Sequence, residues 1–359
     1  HLRHMQTTTA SLSRVARLVR NLTNALIAVV VLIFVGHAAI SWQKARVQSI
    51  QQLDAITSLM KRTLDTYLVS KQAGLRSLVD AIDDAGGLKD LARVQQLLSA
   101  YKTHRVEISE AYISDLSGNV LATSRTNALQ GLPPVEDLAA YTSFLQEHRH
   151  DTGLYVDRPQ KGQSPERWNL ALRLILRDHN DQPIAVLSDV LHTATLVSFW
   201  RDAVHYGSVS IGVLRDDSYL LGRFPLPPTT SPAEIYGQPR DGALARHLQA
   251  AAHPEQGQID GPNTIASGEI YTNYFRRLEK FPLTVFAAQP VAQIRAAWLY
   301  TLLPPLLVML LFVVAARLAA WRIAVLDRQM AQQRQDAEAA STRSADEQRF
   351  LVDRLMTGL

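Results

Sequence analysis

No charged side chain interrupts the segment Leu302-Leu303-Pro304-Pro305-Leu306-Leu307-Val308-Met309-Leu310-Leu311-Phe312-Val313-Val314. The charge-free stretch around it extends from Ala296 to Ala316, and a helix needs about 20 apolar residues to cross a bilayer. The alternative is a helix that packs on the core of a soluble domain. Such a helix is usually half-exposed and carries a polar face, which this segment lacks. We therefore predict a transmembrane helix over 296–316. Its two prolines are compatible with a bend or with support from neighbouring groups.

A second stretch, Leu22–Trp42, contains no Asp, Glu, Lys or Arg, and His37 is its one ionisable residue. The alternative here is a cleavable signal peptide, which would have a shorter apolar core followed by a small-residue cleavage site. This stretch instead continues past the Ala38-Ala39 pair before it turns polar. We predict an uncleaved membrane anchor over 22–42, and we interpret His1–His4 as an added leader ahead of Met5.

Positive charge flanks the two predicted spans on one side. Arginines precede the first span and follow the second, at Arg3, Arg14, Arg17, Arg20, Arg317, Arg322, Arg328 and Arg334. Because cytoplasmic flanks are enriched in Lys and Arg, both chain ends are predicted to be cytoplasmic, and residues 43–295 are predicted to lie outside. The net charge of +4 owes much to these flanks, so it does not indicate nucleic-acid binding.

The composition restricts the chemistry that the chain can perform. It contains no cysteine, which excludes disulfides, thiol catalysis and zinc–thiolate sites. The region between the spans must therefore be stabilised by apolar packing, and its roughly 250 residues can supply one or two cores.

A long helix is predicted to follow the first span. Between Gln43 and about Ile82 there is no proline, and apolar residues recur at helical spacing at Ile50, Leu53, Ile56, Leu59, Met60, Leu64 and Leu68. That spacing is typical of an amphipathic helix with one buried face. Gly86-Gly87 interrupts the pattern, and a second helix is predicted over 88–101.

Strand patterns then replace the helical spacing. Apolar-rich runs flank short polar turns in four pairs: 106–114 with 120–124, 168–176 with 184–191, 208–214 with 219–224, and 269–278 with 283–289. Such pairs predict β-hairpins. Helices followed by hairpins predict an α+β fold with antiparallel sheets rather than a parallel α/β one.

Five local patterns also occur in order between the spans: Tyr112–Ser124, Gly153–Pro159, Trp168–Arg173, Asp181–Val186 and Tyr274–Val285. In this order they resemble the double-Cache family, the tandem PAS-like sensor regions of bacterial transmembrane receptors that precede diguanylate cyclases and some sensor histidine kinases. The resemblance covers roughly residues 43–296. It implies a membrane-distal module with the long helix over 43–200 and a membrane-proximal module over 201–295.

The resemblance further implies a small-molecule site in the distal module, between the sheet and its covering loops. It points to six residues: Tyr141, Tyr155, Arg158, Trp168, Arg173 and Asp189. Arginine can bind a carboxylate through two hydrogen bonds, aromatic rings exclude water, and an acid can accept from an amine. Each of these residues could instead belong to the core, a lid or the solvent-facing surface. The family's frequent Asp-Arg-Tyr-Phe stretch is matched only loosely, at Ala140–Phe144, and the amino-acid-binding version of the motif does not align with this chain. The expected ligand is therefore left open as an amino acid, an organic acid or a similar small molecule.

Two polar clusters have local explanations. His148-Arg149-His150-Asp151 contains metal-ligating types, but a polar loop without a further anchored ligand favours a solvated surface. Arg215-Asp216-Asp217 falls where a hairpin turn is required. The nucleophile elbow, the phosphate-binding glycine loop and HExxH do not occur. We therefore predict that this chain holds no catalytic residue, metal site or cofactor.

The last segment, 317–359, is charged, alanine-rich and free of proline, which predicts a helix that continues into the cytoplasm. Phe350–Leu359 resembles the start of an output domain that this chain lacks. The resemblance implies a homodimeric receptor in the inner membrane of a bacterium, which binds a ligand outside and signals to a diguanylate cyclase or a histidine kinase. The alternative is a chemotaxis transducer or a non-enzymatic membrane binding subunit.

Overall fold

A computed structural model describes residues 2–105, 107–125, 131–162, 168–201, 204, 209–228, 230–265 and 268–356, with side chains described between residues 17 and 345. Val106 and Ser208, the predicted first residues of two strands, lie outside the described residues, as do His1 and the last three residues. The chain divides into two compact units, residues 1–45 with 295–359, and residues 46–294.

Helix α1 (Leu2–Asp84) contains the predicted long amphipathic helix. Leu53, Met60, Leu64 and Leu68 are at most 1% exposed, whereas Leu59 is 48% exposed, so the buried stripe is narrower than predicted. The helix stops before Gly86 and Gly87, which adopt positive φ angles of 103° and 68°. Glycine tolerates this conformation without a Cβ clash.

The remaining elements follow in order. They are a 3₁₀ turn (Gly87–Lys89), α2 (Leu91–Thr103), β1 (Ile108–Ser114), β2 (Val120–Thr123), α3 (Leu138–His148), β3 (Tyr155–Val156), β4 (Gln160–Lys161), β5 (Trp168–Arg177), β6 (Pro183–His192), α4 (Thr193–Arg201), β7 (Ser210–Arg215), β8 (Leu220–Phe224), α5 (Pro232–Tyr236), α6 (Ala243–Ala250), β9 (Gln256–Pro262), β10 (Ile270–Arg277), β11 (Leu283–Pro290) and α7 (Val291–Met356).

The strands form two antiparallel sheets, which confirms the predicted α+β class. Sheet A has the order β2-β1-β6-β5-β3, with β4 also paired to β5, and sheet B has the order β8-β7-β11-β10-β9. One continuous core joins the buried stripe of α1 to one face of each sheet. Strand β9 was not predicted because Gln256–Pro262 contains two glycines, a proline and one large apolar residue, so it lacks the alternation on which a strand prediction depends.

The register of sheet A divides its residues between two faces. Tyr112 pairs with Ser188, and Ser188 pairs with Arg173, so these three lie in one row on one face. The neighbouring row, Ala111–Asp189–Leu172, points to the other face, because successive strand residues alternate. Ala111 and Leu172 belong to the core that contains α1, whereas Tyr112 belongs to a separate cluster with Tyr141 and Phe144.

The turn between β1 and β2 depends on Gly118. Its φ is +90°, and a Cβ there would lie 2.5 Å from Leu138 Cδ1. We expect Gly118→Ala to lower the free energy of unfolding by roughly 1–3 kcal/mol, because the strained backbone and the clash act together. Chemical denaturation followed by tryptophan fluorescence measures this change. Gly153→Ala is the matched control, since that glycine has open space around it and no positive φ; equal losses in both variants would contradict the prediction.

The unit formed by residues 1–45 and 295–359 contains the two predicted spans. By length and composition, α1 and α7 each include a helix that could cross a membrane, with windows of mean hydropathy 2.4 and 2.3. Almost none of the side chains in those windows is buried. Trp298 stacks edge-on against Trp42 with a centroid distance of 5.3 Å and donates a hydrogen bond of 3.0 Å to Ser41 Oγ. Helix α7 continues through Pro304 and Pro305 without a break.

Candidate functional site

A cavity of about 210 Å³ lies on the Tyr112 face of sheet A. Tyr112, Ala171 and Val190, from three neighbouring strands, are among its lining residues, and the segment 132–136 contributes another wall. Helix α3 packs beside it on the same face through Tyr141 and Phe144. An apolar engineered cavity of about 150 Å³ already admits benzene, so this cavity is large enough for a small molecule. We call it the distal cavity.

The charged groups of the distal cavity come from strands β1 and β2 and their flanks. Glu110 Oε1 accepts a hydrogen bond of 2.5 Å from Thr123 Oγ1, and the Glu110 carboxylate pairs with Arg125. Glu136 stands at the exposed rim. Partial desolvation raises the pKa of the Glu136 carboxyl; Arg125 opposes this effect and Glu110 reinforces it. Among the described lining residues, two carboxylates therefore face one guanidinium.

Asn169 and Gln160 add amide groups to the lining. Asn169 Oδ1 lies 2.9 Å from His192 Nδ1, and Gln160 Nε2 donates to Asp157 Oδ2 at 3.2 Å. Each amide is thus held in place by a protein partner on one side. Preorganised polar groups of this kind orient a ligand within an otherwise apolar cavity.

Arg173 lies beside the cavity floor with its donors occupied. It is 1% exposed, and its Nε and Nη2 atoms lie 2.8 and 2.7 Å from Asp157 Oδ2. Its Nη1 donates to Tyr112 OH at 3.2 Å and to Ser188 Oγ at 3.1 Å. Burial alone would lower the pKa of this guanidinium, but Tyr112 and Asp157 outweigh burial and raise it. Arg173 therefore positions Tyr112, which itself lines the cavity.

Tyr141 and Tyr155 flank Arg173 but have their own protein partners. Tyr141 is fully buried and donates to Asp115 O at 2.7 Å, and burial raises its pKa to about 12. Its ring lies 5.1 Å from the Arg173 guanidinium carbon. Tyr155 packs on Phe144 with a centroid distance of 4.7 Å, and its hydroxyl accepts a hydrogen bond of 3.1 Å from Arg215.

Arg158 and Trp168 contact residues of the sheet B region. Arg158 Nε donates to Asp217 Oδ2 at 2.9 Å, in the turn between β7 and β8. Trp168 is 8% exposed and its ring lies 6.0 Å from the Tyr236 ring. Both belong to a core on the outer face of sheet B, which is the face that does not join the core with α1. Arg158 and Trp168 therefore connect the two sheets.

Asp189 points to the opposite face of sheet A from the distal cavity. Its Oδ2 atom lies 3.2 Å from Lys71 Nζ on α1 and 3.2 Å from Tyr101 OH on α2. Lys71 Nζ also contacts Glu107 at 2.9 Å. Burial raises the pKa of Asp189, although Lys71 and Tyr101 reduce the shift. This buried cluster ties the long helix to the sheet.

The six predicted site residues thus do not converge on one cavity, and among the described lining residues of the distal cavity none of them is present. That any of them contacts a ligand stays a prediction. Glu110 and Arg125 were not predicted. A signal for Glu110 was available, because it occupies an alternate position to Tyr112 on a predicted strand and is the only charged residue in Ile108–Ser114.

The two polar clusters noted in the sequence make protein contacts. His148 Nδ1 lies 2.7 Å from Asp151 Oδ2, and no group of three or more metal-ligating side chains occurs in the searched, described part of the chain. Asp216 binds Arg277 through two hydrogen bonds of 2.6 Å, and Asp217 binds Arg215 at 3.0 Å. Arg215 is the last residue of β7, and Asp216 and Asp217 lie in the turn between β7 and β8, where the sequence predicted a hairpin turn.

Fold and cavity together give the architecture: two antiparallel sheets and a long N-terminal helix, with a cavity on the face of sheet A that does not pack against that helix. No protein-family model and no curated protein sequence matches the chain.

Several solved structures align with about 70% of this chain. The extracellular domain of rpHK1S-Z16, a protein named as a histidine kinase, aligns with a TM-score of 0.54 at 16% identity, covering 68% of this chain and 95% of that one. The periplasmic sensory domain of the Campylobacter jejuni chemoreceptor Tlp1 aligns at 0.49 and 11% identity, covering 70% and 98%. The sensory domain of Tlp3 from the same organism aligns at 0.48 and 12%, covering 72% and 99%. The first of these likenesses shows that about two thirds of this chain shares the fold of that extracellular domain.

Proposed function

We propose that this chain is a two-pass receptor of a bacterial inner membrane that binds a small extracytoplasmic ligand in the distal cavity. In this proposal residues 22–42 and 296–316 cross the membrane, residues 43–295 lie outside, and both ends are cytoplasmic. The distal module comprises 43–200 and the proximal module 201–295. The apolar, exposed windows of α1 and α7 support the membrane assignment, and the arginine-rich flanks support the orientation.

The observation that carries the proposal is the chemistry of the distal cavity. Glu110, Glu136 and Arg125 leave an excess of one negative charge among the described lining residues. A ligand amine can bind the carboxylates, while a ligand carboxylate can share Arg125. This arrangement favours a small ligand with a primary amine, such as an amino acid, over a simple organic acid. Tyr112 and Val135 supply apolar walls.

The proposed signal passes from the distal module to the helices. Ligand binding can shift a conformational equilibrium only if the ligand prefers one of the two states. Arg173 is retained in the proposed site as the residue that positions Tyr112, and the Lys71–Asp189 pair couples the sheet to α1. We further propose that the receptor is a homodimer and that α7 carries the signal to a diguanylate cyclase or histidine kinase output domain.

Ligand binding is tested with the full chain in lipid nanodiscs, by a thermal-shift screen of amino acids, organic acids and polyamines. A ligand at a hundred times its Kd is expected to stabilise the protein by about 2.7 kcal/mol. We expect amine-bearing ligands to give the stabilisation. Stabilisation by none of the amine-bearing compounds would contradict the proposal.

Glu110→Gln is expected to weaken binding of the amine ligand by about tenfold or more, because a charge-assisted hydrogen bond is replaced by a neutral one. Calorimetric titration measures the affinity. Glu147→Gln is the matched control, since the Glu147 side chain is 67% exposed. Arg173→Ala is expected to weaken binding through the loss of Tyr112 positioning, and unchanged affinity in that variant would remove Arg173 from the site.

A further inference from the structure

A second cavity lies on the outer face of sheet B, outside the site described above. It has a volume of about 60 Å³, and it is lined by residues of β7, β8, β10, β11 and α6. This face holds a core of its own around Phe275 and Phe286. We call it the proximal cavity.

Arg223 on β8 contributes a guanidinium to the proximal cavity. Arg223 is only 5% exposed, and its Nε atom is buried without a hydrogen-bond partner among the described residues. It pairs in the sheet with Gly212, where a Cβ would lie 2.5 Å from the Phe286 ring. The glycine therefore leaves room on this face for an aromatic ring beside the arginine.

Arg240 brings a second guanidinium to the same cavity. Its Nη1 donates to Glu234 O at 2.7 Å and its Nη2 to Thr264 Oγ1 at 3.3 Å, while its Nε has no partner among the described residues. Burial lowers the pKa of both arginines, and Arg240 lowers that of Arg223 further. Within the part of the chain that the structure describes, neither guanidinium forms a salt bridge. Asp241, the acid nearest to Arg240 in sequence, is not among the lining residues.

Two guanidinium groups line the same cavity, and the Nε donor of each has no hydrogen-bond partner among the described residues. Such a pair forms a receptor for an anion, because arginine binds a carboxylate through hydrogen bonds that suit its planar shape. The small volume limits the anion to a few heavy atoms. Leu214, Leu220 and Phe286 line the cavity as well, and an apolar lining favours an anion that carries a short alkyl group over phosphate, which keeps its hydration shell more strongly. We propose that the proximal cavity binds a small monocarboxylate through Arg223 and Arg240.

The experiment uses the full chain in nanodiscs of neutral lipid, with sodium acetate, sodium propionate and sodium phosphate as probes and sodium chloride at equal ionic strength as the reference. We expect saturable stabilisation by acetate or propionate. Arg223→Met is expected to weaken that response by about tenfold or more. The ligand-free variant is expected to have an unchanged or higher Tm, because an unpaired buried charge is replaced by an apolar side chain.

Arg246→Met is the matched control, since Arg246 is an exposed arginine on α6. Glu110→Gln, in the distal cavity, should leave the carboxylate response unchanged, so failure of the distal site is distinguishable from failure of this one. If Arg223→Met does not fold, Arg240→Met, at a less buried position, replaces it. Three results would each overturn the proposal. The first is stabilisation by phosphate but not by acetate or propionate, and the second is an equal response to chloride. The third is the absence of any response to acetate or propionate together with a lower Tm of ligand-free Arg223→Met.

Discussion

Asp157→Ala is expected to lower the free energy of unfolding by about 3–5 kcal/mol, because removing one partner of a buried ion pair leaves the other charge uncompensated. Asp157 is 2% exposed and Arg173 is 1% exposed. Among the described residues, the guanidinium would retain only Tyr112 and Ser188 as hydrogen-bond partners, and arginine does not lose its proton in proteins. The variant is measured by chemical denaturation followed by tryptophan fluorescence, to which the buried residue Trp200 contributes.

Two further variants separate the charge effect from loss of packing. Asp83→Ala, at an exposed position on α1, should change the free energy of unfolding by less than about 0.5 kcal/mol. The double variant Asp157→Leu with Arg173→Met should be more stable than Asp157→Ala, since it removes both charges together. If the free energy of unfolding fell no further in Asp157→Ala than in Asp83→Ala, the Asp157–Arg173 ion pair would not contribute to stability.

Lys71→Met is expected to lower the free energy of unfolding at pH 7 by about 3–5 kcal/mol, because it removes the cation that faces the buried carboxyl of Asp189. Asp189 is fully buried, and its Oδ1 atom has no hydrogen-bond partner among the described residues. Tyr101 would remain as its hydrogen-bond donor. Denaturation curves at several pH values measure the effect.

The pH dependence of Lys71→Met has a defined sign. Burial already raises the pKa of Asp189 above the ordinary value of an aspartate, and loss of the lysine removes the largest opposing influence. A carboxyl whose folded-state pKa is raised binds more protons in the folded state, so stability falls as the pH rises from about 4 through the folded-state pKa. The deficit of the variant should therefore shrink as the pH is lowered towards 4.

Variants around Asp189 provide the controls. Adding Asp189→Asn to Lys71→Met should restore part of the lost stability at pH 7 and remove the added pH dependence. Lys89→Met, at an exposed position, should have little effect. A deficit that is the same at pH 4 and pH 7 would show that Lys71 contributes through packing of its methylene groups rather than through its charge.

Local patterns predicted the elements well where one face of an element is buried. The long helix and eight of the strands lie close to their predicted ranges, since helical spacing and alternation report burial directly. The short helices α3, α4, α5 and α6 were not predicted. Asp137 and Ser231 cap α3 and α5 through their side chains, a signal that the sequence contained, but each helix is too short for a clear period.

The candidate site was harder to predict. Resemblance directed attention to Arg173 and Asp189, and both are buried charges with specific partners. Arg173, however, supports the floor of the distal cavity through Tyr112, and Asp189 faces α1. Arg173 pairs with Ser188, whereas Asp189, the next residue along β6, pairs with Leu172. Because a shift of one residue in a strand moves a side chain to the other face of the sheet, Arg173 and Asp189 lie on opposite faces.

Local sequence patterns were enough to predict the features that depend on neighbours along the chain: two charge-free stretches long enough to cross a membrane, a long amphipathic helix and a series of hairpins. Which charged side chains contact each other depends on the tertiary structure. Asp189 lies 118 positions from Lys71, and Arg173 lies 61 positions from Tyr112. Such contacts depend on strand register and on the docking of α1 against the sheets, and these arise from the packing of the whole core rather than from any local pattern.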